Sequence, residues 1–251
     1  MSALAHAVRY LTIIPWPDRR RPPGEGLPAS LGAAAVWFPL VGLGIGAVLA
    51  LVERATARIF PSLLAGLITV VVWKLLTGGL HLDGLADCLD GLGGQDVEHR
   101  LAIMRDSRIG AFGAMGLILV LLLDVGALAE IPSPQRWRVL LVAPVVGRAV
   151  PVVLAGLFPP ARSDGHGADF RRGLRSFAGP LALAIAALVS LVVLGAAGMV
   201  ALGTAAVVAV AFASLMVRRL KGITGDVLGG TVELAELAVL LTVTAWVSLQ
   251  R

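Results

Sequence analysis

The sequence predicts an all-α protein, a multi-pass membrane bundle of about seven transmembrane helices with a cytoplasmic N-terminus. Residues of the set AVILMFWYC make up 57% of the 251 residues, another 30 residues are glycine, and only 15% are charged. The mean hydropathy is +0.88. Soluble domains are about 45–50% apolar with glycine included and about 25% charged. A soluble core could not hide this much apolar surface, and a disordered chain would be poor in apolar residues.

Seven segments are long and apolar enough to cross a bilayer, for which a helix needs about 20 residues. They are residues 31–52, 63–80, 109–129, 139–158, 178–198, 199–217 and 232–249. The seventh is the weakest, because Glu233 and Glu236 fall in its first turns. The apolar stretch at residues 3–16 has no cleavage-like site, so we do not expect a cleaved signal peptide. We treat residues 1–251 as a single integral-membrane domain.

The basic residues are divided unevenly between the two ends of these spans. Of the 21 lysines and arginines, 14 fall in the N-terminal stretch and the second, fourth and sixth loops, whereas 5 fall on the other side. The positive-inside rule therefore places the N-terminus and those three loops in the cytoplasm. The net charge is +5, but the basic residues are distributed according to the side of the membrane and do not form one solvated face. We therefore expect no nucleic-acid partner.

The densest polar run, G-G-L-H-L-D-G-L-A-D-C-L-D-G, follows the second span. Asp83, Asp87 and Asp90 are spaced i, i+4, i+7, within an arc of about 60° on one helical face. Like charges at this spacing destabilise a helix, and the intervening leucines argue against the alternative of a solvated acidic face. Clustered carboxylates together with substrate phosphates suit Mg²⁺. His81 lies on the opposite face, as either a hydrogen-bonding boundary residue or a substrate contact, and Cys88 is the only cysteine.

A second group of polar residues lies in the run I-M-R-D-S-R-I-G-A-F-G, just before the third span. Arginine side chains match phosphate oxygens geometrically, and glycines let a ligand approach the backbone. Anchoring by positive charge explains Arg100 but not the placement of Asp106 and Ser107 between Arg105 and Arg108. The run therefore predicts a phosphate-binding segment.

The fourth and sixth loops carry weaker signals of the same kind. Arg162 begins a basic loop that either binds an anionic substrate or anchors the chain at the membrane surface. The sixth loop sets Lys221, Thr224 and Asp226 in a glycine-rich run that resembles a phosphate cradle, although the Walker spacing is absent. If a helix starts at Thr231, its N-terminus favours anions.

Five ionisable residues are expected within the spans, where charge is costly and usually functional. They are Lys74, Asp124, Arg148, Glu233 and Glu236. An Asp124–Arg148 ion pair between adjacent helices and a role for Arg148 in a substrate cavity both remain open. Lys74 lies within two turns of the aspartate run and could either form an ion pair between helices or face the substrate cavity.

These runs resemble the bacterial cobalamin synthase family, the adenosylcobinamide-GDP ribazoletransferases. The matching stretches are Y-L-T-I-I-P-W-P (10–17), F-P-L-V-G (38–42), T-G-G-L-H-L-D-G-L-A-D-C-L-D-G (77–91), I-M-R-D-S-R-I-G-A-F-G (103–113), G-R (147–148), A-R-S-D-G-H-G (161–167) and G-I-T-G-D-V-L-G-G-T-V-E-L-A-E-L (222–237). The third and fourth stretches are the most specific. The resemblance implies an inner-membrane enzyme that joins adenosylcobinamide-GDP to α-ribazole or α-ribazole 5′-phosphate, releases GMP and requires Mg²⁺.

That reaction gives the candidate residues their roles. Asp83, Asp87 and Asp90 would hold Mg²⁺, and one of them or Asp106 would accept the hydroxyl proton. Two further carboxylates would complete a second metal position, at Asp226 and Glu233. The remaining candidates would bind substrate: His81, Arg105, Ser107, Arg108, Arg148, Arg162, Lys221 and Thr224.

Two other functions share some of these sequence features. A CDP-alcohol phosphotransferase also places aspartates in a D-G-x-x-A setting, but its motif continues with arginine, whereas Asp87 follows Ala86 here. A transporter would place its ionisable residues at mid-membrane and show repeat symmetry. The enzyme could also act as a homo-oligomer or within a complex of pathway proteins.

Overall fold

The computed structural model describes residues 2–15, 31–161 and 166–250. Every secondary-structure element in these residues is a helix, which confirms the all-α prediction. The elements are α1 (Ala3–Leu11), α2 (Leu31–Ala34), a 3-10 turn (Ala35–Trp37), α3 (Phe38–Thr56), α4 (Ser62–Leu76), α5 (Leu80–Gly91), α6 (Val97–Ile103), α7 (Ala111–Glu130), α8 (Ser133–Leu157), α9 (His166–Gly173), α10 (Ala178–Leu194), α11 (Ala196–Leu220) and α12 (Gly225–Ser248).

Five helical segments in the described chain are individually long and apolar enough to cross a membrane. They are Leu31–Thr56, α7, α8, α11 and α12. Two further pairs pass the same test together, although α5 is bent 88° from α4 and α10 is bent 94° from α9. Counting each bent pair once gives seven spans. Each of the seven predicted segments lies largely on one of these helices, although the second runs past the end of α4 to residue 80 and the fifth past the end of α10 to residue 198, so the multi-pass prediction holds.

The bend between α4 and α5 has a local cause in the sequence Thr77-Gly78-Gly79. The amides of Gly78 and Gly79 bind the carbonyls of Leu75 and Lys74, each at 3.0 Å, which closes α4 with a Schellman motif. Both glycines have positive φ, +63° and +67°, which residues with a Cβ rarely adopt. The aspartates therefore lie on a separate helix turned across the end of α4.

Helix α8 lies at the centre of the bundle and packs against α3, α10 and α12. Its contact with α3 is close: a Cβ built on Gly46 would lie 2.6 Å from the carbonyl oxygen of Leu140. Pro144 lacks the N–H that would otherwise bind that oxygen. Gly42 meets the backbone of Pro144 in the same way, whereas Gly44 faces open space. Small residues thus let two membrane helices pack backbone to backbone.

The segments that the charge count places on one side meet at one end of the bundle. Helix α1 packs against α2, α2 against α9, and α12 against both α5 and α9. The fourth and sixth loops are joined directly, because the amide of Ile223 binds the carbonyl of Pro159 at 2.8 Å and the amide of Ala161 binds the carbonyl of Ile223 at 2.9 Å. This grouping agrees with the predicted sidedness of the loops, and the compartment that this end faces stays a prediction.

The opposite end of the bundle is held by a buried charge pair. Arg136, at the start of α8, donates from Nε to the carbonyl of Ile131 at 2.7 Å and from Nη2 to that of Ala129 at 2.9 Å. Its Nη1 lies 3.5 Å from Oε1 of Glu53 on α3, and both side chains are buried. Arg136 therefore ties α3, α7 and α8 together.

Candidate active site

The aspartate helix α5 lies directly against the first turns of α12. A Cβ on Gly84 would lie 2.8 Å from the carbonyl oxygen of Asp226, and a Cβ on Gly229 would lie 3.5 Å from the Cα of His81. Glycine on each helix therefore lets the two backbones touch. The contact brings Asp226 beside the aspartates of α5, although the two segments are far apart in the chain.

Helix α12 begins at Gly225 and not at Thr231, the start that the sequence suggested. Thr224 is its N-cap, and the Thr224 hydroxyl accepts a hydrogen bond from the amide of Val227 at 3.2 Å. Gly229 and Gly230 consequently lie inside the helix and pack against α5. This part of the glycine-rich run serves helix packing, so the phosphate-cradle interpretation does not apply to it.

Four carboxylates gather where α5 meets α12. Asp83 is exposed, while Asp87, Asp90 and Asp226 are half-buried. Asp87 lies within electrostatic reach of the other three. In the described part of the chain, no three side chains of His, Cys, Asp or Glu converge closely enough to hold a metal ion. The cluster thus offers one or two carboxylates to a cation that a ligand would also bind, which is the usual arrangement for Mg²⁺.

Asp90 joins the two most specific sequence motifs in space. Its Oδ2 accepts a hydrogen bond from the amide of Gly110 at 2.7 Å, and its Oδ1 accepts one from the amide of Gly113 at 2.8 Å. A Cβ at either glycine would overlap the carboxylate. A carboxylate at this position satisfies free amides at the start of α7 and complements the helix dipole. Asp90, predicted as a metal ligand, is therefore engaged in holding the arginine segment against α5.

The arginine segment itself is ordered by an ion pair. Arg108 donates from Nη2 to Oδ2 of Asp106 at 2.6 Å and from Nε to Oδ1 at 3.0 Å, and its own amide binds Oδ1 at 3.0 Å. Hydrogen bonds from Arg108 lower the pKa of Asp106 to about 2. Such a carboxylate is a weak base, so the geometry favours an orienting role for Asp106 over the predicted proton transfer. Arg105, Ser107 and Arg108 are all exposed to an incoming ligand.

The ionisable residues of the spans form a buried network across four helices. Nζ of Lys74 lies 2.5 Å from Oε2 of Glu233, 3.2 Å from Oδ2 of Asp124 and 3.9 Å from Oε2 of Glu236. Arg148 pairs with Glu236. The Asp124–Arg148 pair that the sequence left open does not form, because Asp124 binds Lys74 instead. Glu233, predicted as a metal ligand, is 1% exposed and lies in this network with Lys74 as its partner.

A cavity of about 260 Å³ opens between α1, α3, α5, α8, α9 and α12. Its polar lining consists of the Tyr10 hydroxyl and the side chains of His81, Asp83, Arg148, Thr224 and Asp226. Arg148 is 0% exposed and His81 is 4% exposed. Among the described residues, neither Nε nor Nη2 of Arg148 has a hydrogen-bond partner, and neither has Nδ1 of His81. Buried polar atoms are normally paired, so these groups fit a site whose ligand completes their hydrogen bonds.

The predicted site residues do not all converge: Asp87 and Asp90 lie on α5 outside the cavity lining, and Glu233 lies in the buried network. Five others line the cavity, and Arg105, Ser107 and Arg108 lie on the segment held by Asp90. Lys221 is exposed at the start of the sixth loop with φ +63°, and Arg162 lies outside the described residues.

The aromatic residues of the cavity lining were not predicted as site residues from the sequence. Tyr10, Phe38 and Phe170 line the cavity from three different helices. Tyr10 and Phe38 lie in two of the family-like runs, and this was the available signal. Side chains without charge gave no reason to assign them a role.

The helices form a multi-pass bundle that gathers carboxylates, arginines and a cavity at one end. This arrangement fits the class of integral-membrane transferases in which positioning and electrostatics act on a phosphoryl group. The particular family is set by the whole chain. Residues 3–244 match the profile of the family described as CobS, cobalamin-5-phosphate synthase, and the chain belongs to this family.

Relatives named adenosylcobinamide-GDP ribazoletransferase resemble the chain over nearly its full length. The protein of Geotalea daltonii is 39% identical over 244 residues, covering 95% of each chain. That of Pseudomonas fluorescens is 42% identical over 246 residues, covering 96% of this chain and 98% of the relative. That of Herpetosiphon aurantiacus is 41% identical over 254 residues, covering 98% of each. No solved structure matches the chain.

Proposed function

We propose that this protein is an adenosylcobinamide-GDP ribazoletransferase of cobalamin biosynthesis. It transfers the cobinamide phosphate of adenosylcobinamide-GDP to α-ribazole or α-ribazole 5′-phosphate and releases GMP. The observation that carries the proposal is that the two motifs most typical of the family, which lie on different helices, meet in space through Asp90. The enzyme acts as a single integral-membrane domain in the cytoplasmic membrane, with its cavity end facing the cytoplasm.

The reaction is a substitution at phosphorus. A ribose hydroxyl of the acceptor attacks the phosphorus attached to the cobinamide, the bond from that phosphorus to the GMP oxygen breaks, and GMP leaves. The hydroxyl proton passes to a carboxylate within hydrogen-bond reach. Asp83 is suited to accept it, because Asp83 lines the cavity and is exposed to an incoming acceptor.

The acidic cluster fits a divalent cation. The groups that act electrostatically on Asp87 are three other carboxylates, those of Asp83, Asp226 and Asp90, and a cation relieves such repulsion. Asp83 and Asp87 would hold Mg²⁺ with Asp226 beside them, while Asp90 and Glu233 have other partners. When bound, Mg²⁺ supplies positive charge to the diphosphate oxygens.

The basic side chains divide the remaining work. Arg105, Arg108 and Lys221 are exposed and can bind the diphosphate and the departing GMP. Arg108 is pre-oriented by Asp106, so less freedom is lost when phosphate binds. Arg148 contributes a fixed guanidinium inside the cavity.

The direct test is turnover in membranes that contain the protein. Adenosylcobinamide-GDP and α-ribazole 5′-phosphate are supplied with and without Mg²⁺, and GMP and the cobalamin product are measured. We expect Mg²⁺-dependent release of GMP, abolished in Asp83→Asn and Asp87→Asn and retained in Glu98→Gln, which alters an exposed carboxylate of α6. A folded sample that releases no GMP, or that consumes a CDP-linked donor instead, would overturn the proposal.

Assembly is a separate expectation. The family resemblance allows a homo-oligomer or a complex with other pathway enzymes. The mass of the detergent-solubilised protein, measured alone and after gentle extraction from native membranes, distinguishes the two.

A further inference from the structure

One wall of the cavity is built from three aromatic rings. The rings of Tyr10 and Phe38 stack with centroids 6.0 Å apart and an interplanar angle of 17°. Phe38 and Phe170 follow at 5.6 Å and 42°. The three residues come from α1, α3 and α9, so the wall forms where the N-terminal helix and the fourth loop pack against the bundle.

The rest of the lining is polar and charged. Asp83, Asp226 and Arg148 line the same cavity as the three rings. Asp226 lies close enough to Tyr10 to act on it electrostatically. A cavity with one aromatic wall and one ionic wall suits a ligand with a flat apolar ring at one end and hydroxyl groups at the other.

We propose that the aromatic wall binds the base of the acceptor nucleoside and thereby directs the ribose hydroxyls toward Asp83 and Asp226. This inference rests on the proposed function and adds a subsite to it. Stacking on aromatic faces is a general way to hold a heterocyclic base, because every base has a π-face.

The size of the cavity agrees with this occupant. Sites that enclose a drug-sized ligand usually measure about 300–1,000 Å³, and this cavity measures about 260 Å³. It can enclose a bicyclic ring and part of a sugar but not a corrinoid macrocycle. The donor therefore presents only its phosphate to the cavity, and the macrocycle stays outside.

The guanine of the donor is the other flat ring in the reaction, and it fits the aromatic wall less well. Guanine carries hydrogen-bond donors and acceptors along its edges, which are costly to bury without partners. A benzimidazole base has two ring nitrogens, one of them bonded to the sugar, and otherwise carbon-bound hydrogens or methyl groups. The apolar lining of the cavity includes Leu11, Ile223 and Leu228, and its two carboxylates, Asp83 and Asp226, are the groups that this proposal assigns to the ribose hydroxyls.

Tyr10 adds one polar contact to the wall. Burial raises the pKa of the Tyr10 hydroxyl, and the nearby Asp226 raises it further. The phenol is therefore protonated at neutral pH and can donate a hydrogen bond to the free ring nitrogen or to the ribose.

The test measures separate KM values for acceptor and donor in Tyr10→Leu and Phe170→Leu. We expect the KM for α-ribazole to rise roughly 5- to 100-fold, the loss that follows removal of one base–aromatic stack, with the donor KM within about twofold of the parent. Tyr10→Phe keeps the ring and serves as the matched variant, and Phe177→Leu removes an exposed ring elsewhere. Phe177→Leu should keep the parental acceptor KM, whereas Tyr10→Phe, which loses only the hydroxyl contact, should raise the acceptor KM by less than Tyr10→Leu does.

A second readout separates binding of the base from general damage. Acceptors with 5,6-dimethylbenzimidazole, benzimidazole and adenine are compared, and the parent should prefer them in that order. The preference should shrink in Tyr10→Leu and Phe170→Leu. If the donor KM rises instead, the wall binds guanine and the inference is wrong; an unchanged acceptor KM and an unchanged preference also refute it while leaving the proposed function intact. A folded parent without any turnover refutes the proposed function itself, and the subsite with it.

Discussion

Replacing Asp90 by asparagine separates a metal ligand from a structural clamp. The carboxylate accepts two backbone hydrogen bonds, from Gly110 and Gly113, at 2.7 and 2.8 Å. Asparagine keeps one acceptor oxygen and turns an NH₂ group toward the other amide. One charge-assisted bond is lost, at a cost of about 1.5–3 kcal/mol. At about 2 kcal/mol, the ratio of correctly placed to displaced arginine segments falls roughly 30-fold.

The assay is GMP release measured against donor concentration and against Mg²⁺ concentration. Because Arg105 and Arg108 lie on the displaced segment, Asp90→Asn should raise the donor KM or lower kcat while the Mg²⁺ concentration for half-maximal rate stays within about twofold. Asp83→Asn, by contrast, should raise the Mg²⁺ requirement or abolish turnover.

Glycine variants provide an independent check of the same contact. Gly113→Ala does not alter residue 90, but its methyl group would occupy the space of the Asp90 carboxylate and displace it. It should therefore reproduce the Asp90→Asn kinetics. Gly126→Ala lies on the same helix in open space and should behave as the parent. A Mg²⁺ requirement that shifts as strongly in Asp90→Asn as in Asp83→Asn, together with a normal Gly113→Ala enzyme, would refute the clamp and restore Asp90 as a metal ligand.

Three further predictions concern the rest of the bundle. Lys74→Met leaves buried carboxylates without their cation and should lower stability by about 3–5 kcal/mol, seen as an earlier thermal unfolding transition in detergent; an unchanged transition would contradict the network. Hydrogen bonds from Arg108 lower the pKa of Asp106 to about 2, so the charge of Asp106 is lost only as the pH falls toward that value. Asp106→Asn should therefore raise the donor KM and leave the pH–rate profile between about pH 6 and 9 unchanged. If the variant loses one limb of the pH–rate profile, Asp106 is the base. Gly46→Ala should destabilise the α3–α8 contact by about 1–3 kcal/mol, whereas Gly44→Ala should not, by thermal unfolding of both.

Hydropathy and charge predicted most of the fold because both act along the chain. Each predicted span lies on a helix, and the loops predicted to share a side gather at one end. The length of the second span was overestimated, since the apolar run continues past the Gly78–Gly79 turn without a change in composition. The start of α12 was displaced because residues 225–230 look like a loop until α5 is packed against them.

The site was predicted as a set of residues more successfully than as a set of roles. Asp83, Asp87 and Asp90 share one helical face, so spacing alone gave them one task. Only the approach of α7 distinguishes Asp90. Likewise, the sequence around Asp124 does not show whether its ion-pair partner is Lys74 or Arg148, because the pairing depends on how four helices are arranged.

The burial of Cys88 has a practical use. The only cysteine of the chain lies on the inner face of α5 with 0% of its surface exposed, so thiol reagents in water have no native target on the folded protein. New cysteines can be added to the unaltered chain as topological markers. A membrane-impermeant maleimide applied to intact cells should label Arg58→Cys and spare Glu98→Cys if the cavity end faces the cytoplasm, and the reverse pattern would invert the orientation of the whole bundle.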